Sequence, residues 1–280
     1  MLRLIRLLPE QGRTSFALAV AWAAWWLRIR RAVAIDNLRQ AFPEKAEAER
    51  LAIARGTYRN LALAALESVT SDLLTDEQVR ARVELPDWRG LDALLEAKQP
   101  VLVASAHFGS WELFAELTTR RGIAISAVVR PLTGAFNEWV VRNRRLAGLE
   151  LILQRGALGE MLKALKRGRA VVQLVDQVLP AKDGVFVEFF GRPASTTPAL
   201  SMAAIRSKAP VYLVLAAREG ATLRMIVEGP FAVPDTGDRR ADLTAHIALI
   251  TQKIEASIRA YPAQWLWLHR RWKVQPPPAG

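Results

Sequence analysis

Val101-Leu102-Val103-Ala104-Ser105-Ala106-His107-Phe108-Gly109-Ser110-Trp111-Glu112 passes from an apolar run to a histidine, a glycine and a carboxylate. Read as one continuous helix, this stretch would set His107 and Glu112 about 140° apart around the axis, on different faces. A strand ending near His107, a turn at Gly109-Ser110 and a helix opening at Trp111 would instead bring them together. The residue types favour that second reading. Gly109 relaxes the turn, Ser110 suits an N-cap, and Glu112 falls in the first helical turn, where the helix dipole favours an anion. A carboxylate that accepts from one imidazole nitrogen fixes the tautomer and leaves the other nitrogen basic. This equips a histidine as general base for an oxygen nucleophile. The plainer alternative is a solvent-facing loop histidine beside an unrelated glutamate at a helix start, and the surrounding sequence weighs against it.

Working outward, short apolar runs alternate with helical patterns after Pro86. The expected strands are Val101–Ala106, Ile123–Val129, Ala170–Val175, Val185–Phe190, Val211–Ala216 and Leu223–Val227. Helices are expected between them at Trp111–Arg121, Ala135–Ala147, Leu158–Arg167 and Pro198–Ser207. A further helix carries Ile247, Ile250, Ile254 and Ile258, and an earlier one runs from Glu47 to Val69 with Leu51, Ala54, Tyr58, Leu61, Ala65 and Val69 on one face. Strands rich in Val and Ile separated by helices predict a single α/β domain with a mostly parallel central sheet flanked by helices. Ligand crevices in such sheets lie at the carboxyl ends of the strands. His107, Arg130 and Asp176 each end a separate strand, so the topology draws three polar groups to one edge.

Composition bounds the chemistry. The 280 residues contain no Cys, which excludes thiolate metal sites and a cysteine nucleophile. No dinucleotide or phosphate-loop glycine motif, zinc-binding H-E-x-x-H or serine nucleophile elbow is present. Direct deprotonation of an acceptor hydroxyl is therefore the economical chemistry, with no metal and no cofactor required. A hydrolase using the same histidine on water is the rival enzyme reading, and a non-catalytic basic membrane-binding protein the rival from another class. Lys and Arg outnumber Asp and Glu by 39 to 27, a net charge of +12 that attracts polyanions. Most aromatic residues lie in apolar runs and not on a basic platform, which disfavours nucleic acid as the partner. An anionic membrane surface fits better.

Ser15 to Leu27 is an uncharged stretch of thirteen residues followed by Arg28, Arg30 and Arg31. As a helix it spans roughly 20 Å, short of the about 30 Å of a bilayer's hydrocarbon. Trp22, Trp25 and Trp26 beside arginines suit the membrane interface. Basic residues on both sides of the run disfavour a cleaved signal peptide. The expected organisation is an amphipathic anchor segment over residues 1–34 and a catalytic domain over residues 35–280.

Several segments together resemble one branch of the glycerolipid and lysophospholipid acyltransferases, the late acyltransferases of lipid A biosynthesis. They are Ser105–Glu112 with its H-x4-E motif, Val129-Arg130-Pro131, Asp176-Gln177 followed by Val185–Gly191, Ala194–Thr197, and Gln264–Lys273. Asn37-Leu38 and Ala41–Glu44 also fit, while Ser110 stands where Asn is expected and Glu188 where Pro is usual. The resemblance implies transfer of a fatty acyl group from acyl carrier protein, or less often acyl coenzyme A, to a hydroxyl of a lipid A precursor or a related glycolipid. It implies that His107 acts as base and Glu112 holds its imidazole. Arg130 and Arg144 would bind substrate phosphate, and Asp176 would orient an arginine or position substrate. The implied location is the cytoplasmic face of a bacterial inner membrane, with peripheral or shallow attachment.

Overall fold

A computed structural model of the protein describes residues 2–84, 88, 90–130, 141–142, 144–145 and 148–277. Four helices open the chain: α1 (Leu2–Leu7), α2 (Glu10–Trp26), α3 (Arg31–Ala41) and α4 (Glu47–Thr70). After α5 (Asp76–Arg82) come β1 (Val83–Glu84), α6 (Leu91–Glu96), β2 (Val101–Ser105), α7 (Trp111–Arg120), β3 (Ile125–Val129) and β4 (Glu150–Leu153). The second half holds α8 (Ala157–Lys166), β5 (Ala170–Leu174), β6 (Val185–Phe189), β7 (Arg192–Thr196), α9 (Ala199–Ser207), β8 (Val211–Glu219), β9 (Thr222–Phe231) and α10 (Arg239–Ala260).

Seven strands form one sheet in the order β1-β9-β8-β2-β5-β3-β4. Every neighbouring pair in it is parallel except β8 with β9. The protein is therefore α/β with a mostly parallel central sheet. The central strands are buried on both faces, which is why they read as continuous apolar runs. Leu102, Ala104, Val171 and Leu213 face the larger core, shared with α8, α9, α10 and the N-terminal helices. Val101, Val103, Val172 and Val214 face a second core beneath Leu91 of α6.

Several expectations shift. Leu223–Val227 lies within β9, which returns antiparallel from β8 through a two-residue link at Gly220 and Ala221, with Gly220 at φ +62°. A glycine in a two-residue link is a hairpin signal, and the helix-spaced pattern of the other strands masked it. Val185–Phe190 becomes β6, paired antiparallel with β7 in a separate two-stranded sheet. The edge strand β4 went unread, because four residues of mixed burial after Gly148 carry little periodicity. Of the helix expected over Ala135–Ala147, residues 141–142 and 144–145 are described and helical; the others lie outside the described residues.

Helix α2 covers the stretch read as an anchor. It buries Ala17, Ala21 and Trp25 against α4, with the Trp25 ring edge-on to Tyr58 at 5.5 Å and the Arg31 guanidinium over its face. Its opposite side leaves Phe16, Val20, Trp22 and Trp26 exposed. Among the described residues no helix is long and apolar enough to cross a membrane.

Candidate active site

The loop that carries His107 is held at every residue. Phe108 pairs with Trp265 and Gly109 with Ala216 as isolated bridges. Gly109 N–H donates to the Gln264 carbonyl at 2.9 Å, Ser110 N–H to the Ala216 carbonyl at 3.0 Å, and Leu266 N–H to the His107 carbonyl at 3.1 Å. Gly109 has φ +55°, and a Cβ there would come within 1.8 Å of the Ala216 oxygen. Only glycine fits so close a backbone approach.

Ser110 does stand at the N-cap of α7, yet its hydroxyl makes no cap hydrogen bond. It donates to Glu67 of α4, which also receives both terminal nitrogens of Arg218 at 2.6 and 2.7 Å. Asn60 adds contacts to the carbonyls of Gly109 and Gln264. Helix α4, the end of β8 and the histidine loop are thus joined by one charged network of low exposure.

The imidazole meets a carboxylate from the neighbouring strand. Asp176 lies two residues past the end of β5, as His107 lies two past the end of β2, and the parallel register pairs Ser105 with Leu174. His107 Nδ1 is 2.8 Å from Asp176 Oδ1, and the His107 backbone N–H donates to Oδ2 at 3.0 Å. Trp265 Nε1–H donates to the same oxygen at 2.8 Å. Burial alone would push the Asp176 carboxyl up; attraction to the imidazole and the three hydrogen bonds outweigh it and hold the group down at about 2. An ionised carboxylate only accepts, so the neutral imidazole carries its proton on Nδ1 and its lone pair on Nε2. The Gln177 side-chain nitrogen lies 3.1 Å from that Nε2. The His107 side chain keeps 21% exposure, so the ring is partly open to solvent.

Glu112 does not take the expected position on the imidazole. It accepts from Arg144 Nε at 3.1 Å and from a second Arg144 nitrogen, and Trp111 Nε1 reaches it at 3.2 Å. The first turn of α7 carries the Glu112 side chain to the arginine, and the carboxyl edge of β5 supplies the imidazole's partner instead. Asp176, expected to orient an arginine or substrate, is that partner. Arg130 follows β3, which pairs with β5 in parallel, so it shares this edge; it is exposed, as are Arg142 and Arg145.

Three contributors escaped the sequence reading. His269 is largely buried, and burial pushes its imidazole down to about 4. Its Nε2 accepts from Val178 N–H at 3.3 Å, bracing the turn that bears Asp176 and Gln177. The Trp265–Lys273 segment forms no strand. It folds irregularly and is held by Asn37, which donates to the carbonyls of Trp267 and His269, both at 2.7 Å. Arg271 is buried against the Ser195 carbonyl and the Thr196 hydroxyl, and desolvation draws its pKa down to about 10.

An α/β fold thus places a carboxylate-held, partly exposed imidazole at the carboxyl edge of its parallel sheet, where ligand crevices of such folds lie. The chain belongs to the bacterial lipid A biosynthesis acyltransferase family, whose model matches residues 1–274. It is an acyltransferase. It is 28% identical over 264 residues to the lipid A biosynthesis palmitoleoyltransferase of Escherichia coli, covering 91% of this chain and 83% of that protein. It is 27% identical over 254 residues to the E. coli lipid A biosynthesis lauroyltransferase, covering 90% and 81%. A lipid A biosynthesis acyltransferase of Haemophilus influenzae is 28% identical over 254 residues, covering 88% and 78%.

Proposed function

We propose that the protein transfers a fatty acyl group from a thioester, carried on acyl carrier protein or coenzyme A, to a hydroxyl of a lipid A precursor. The observation that carries this reading is the His107 imidazole, fixed through Nδ1 by Asp176 while the side chain stays partly exposed. His107 Nε2 takes the proton of the acceptor hydroxyl as its oxygen attacks the thioester carbonyl. The tetrahedral oxyanion then collapses, the carbon–sulfur bond breaks, and the departing thiolate takes the proton from His107. Asp176 keeps the imidazole in the basic tautomer and stabilises its charged form while the proton resides there. Glu112 holds Arg144, and Arg144 and Arg130 supply positive charge for a phosphate of the acceptor or of the donor's phosphopantetheine arm.

Residues 1–34 form the membrane-facing segment and residues 35–280 the catalytic unit. The exposed apolar side of α2 supports this. Trp22 and Trp26 are 66% and 61% exposed, and Leu27 and Ile29 continue the surface next to Arg28 and Arg30. Aromatic rings beside arginines gain at the headgroup level of an anionic leaflet. The enzyme then works peripherally at the cytoplasmic face of the inner membrane. Mass spectrometry of lipid A from cells with and without the protein tests the reading. The expected result is a lipid A species lacking one acyl chain in its absence; an unchanged lipid A profile would overturn it.

A further inference from the structure

The contact at His107 Nε2 is unusual for a resting general base, because its lone pair is already occupied. The imidazole lone pair can only accept and an amide N–H can only donate, so the Gln177 carboxamide faces it with its nitrogen, at 3.1 Å. Gln177 is only partly buried, and the turn that carries it is fixed on both sides. Asp176 before it takes three hydrogen bonds, and Val178 after it donates to His269. The backbone is held, and the long side chain can swing away.

Resting on the acyltransferase reading above, we infer that Gln177 is a hydrolysis guard: its carboxamide occupies the basic nitrogen of His107 and withholds it from water until an acceptor hydroxyl displaces it. The need follows from the chemistry. His107 is reachable by solvent, and a bound acyl thioester is open to any nucleophile the imidazole activates. With water as nucleophile, Nε2 would take a proton from water, the water oxygen would bond to the thioester carbonyl, and the carbon–sulfur bond would break. The thiolate would leave with the proton, and a free fatty acid would be lost. A water molecule offers one hydrogen bond in exchange for the one Gln177 already makes, with no surplus. A lipid acceptor brings binding energy from its non-reacting parts, which is available to displace the amide. Suppression of hydrolysis thus comes from competition at one nitrogen, without closing the site.

The test uses the full-length protein with dodecanoyl-coenzyme A as donor and no acceptor, following thiol release by a colour reagent. The chain has no Cys, so every thiol counted comes from the donor. Gln177→Met keeps the length and removes the donor. Gln177→Asn keeps the amide and withdraws it by one methylene, so it serves should the Met variant not fold. Either variant is expected to hydrolyse the donor roughly 10- to 100-fold faster than wild type, within the ~10²–10⁴-fold a general base supplies. Adding His107→Ala to either should return hydrolysis to background. Acceptor-free hydrolysis that stays at the wild-type level in a folded Gln177 variant overturns the guard, as does a rise that survives loss of His107. Wild-type protein run with a lipid A precursor separates the two readings. Transfer there with unchanged hydrolysis in the variants removes the guard alone, whereas no transfer removes the acyltransferase reading and the guard with it.

Discussion

Glu112 stands five residues from His107 in the chain and Asp176 sixty-nine, yet the near carboxylate holds an arginine and the far one holds the imidazole. The two surroundings explain the division. Asp176 lies two residues past a strand buried on both faces, is itself only 4% exposed, and keeps its charge because three N–H groups point at it. A carboxylate so placed cannot turn elsewhere, which suits a group that must hold a ring in one orientation. Glu112 opens a helix, remains partly open to solvent, and is paired with a long, adjustable cation. On the proposed mechanism, orientation of the base would fall to the buried sheet edge, and contact with substrate to a helix start and its partly exposed arginine.

Removing the base breaks the comparison outright. His107→Ala should lower kcat for acyl transfer about 10²- to 10⁴-fold while thermal unfolding stays close to wild type, read by steady-state kinetics and calorimetry. Near-wild-type turnover would remove the mechanism. Asp176→Asn comes next, at roughly 10²- to 10³-fold in kcat, because the amide can donate to Nδ1 and so favours the wrong tautomer. Glu112→Gln should cost about tenfold and appear chiefly in KM, since it loosens Arg144 and leaves the imidazole held. Equal kcat losses for the two carboxylate variants would erase the distinction drawn between them.

The smallest effect is on stability. The His269 pKa lies near 4 in the fold against an ordinary 6.5. Between those values the unfolded chain binds a proton that the folded one refuses, so stability falls as pH drops from about 6.5 to about 4. The slope reaches about 1.4 kcal/mol per pH unit for that one proton. The burial of His246 acts with the same sign. Asp176, held low, loses its contribution only as pH falls from its ordinary range near 3.8 toward 2. Denaturant midpoints at several pH values should show a shallower acid slope in His269→Gln than in wild type, and identical slopes would refute the assignment.

What was legible in the chain follows the range of the interactions involved. Strand β2 and helices α7 and α8 are local patterns, and they stand within a residue or two of where periodicity and turn chemistry put them. His107 stood out because Gly109 and Trp111 mark a strand-to-helix turn around it. The identity of its partner was not readable. Whether Asp176 or Glu112 reaches Nδ1 depends on the register of β2 against β5, which no local pattern encodes. The Glu67–Arg218 pair spans 151 residues, and Asn60 joins Gln264 across 204. Each partner alone looks like an ordinary polar residue on a helix or at a strand end. The burial of His269 was unreadable for the same reason, since it comes from the fold around a segment whose own composition is basic.

Proton NMR of the imidazole N–H groups tests the Asp176–His107 pairing most directly. The protein has three histidines, so His107→Gln assigns the signal. An N–H donating to a buried carboxylate resonates far downfield and exchanges slowly with solvent. The His107 Nδ1–H signal should persist unchanged in Glu112→Gln and vanish in Asp176→Asn. A signal that survives in Asp176→Asn and disappears in Glu112→Gln would show that the near carboxylate holds the base after all.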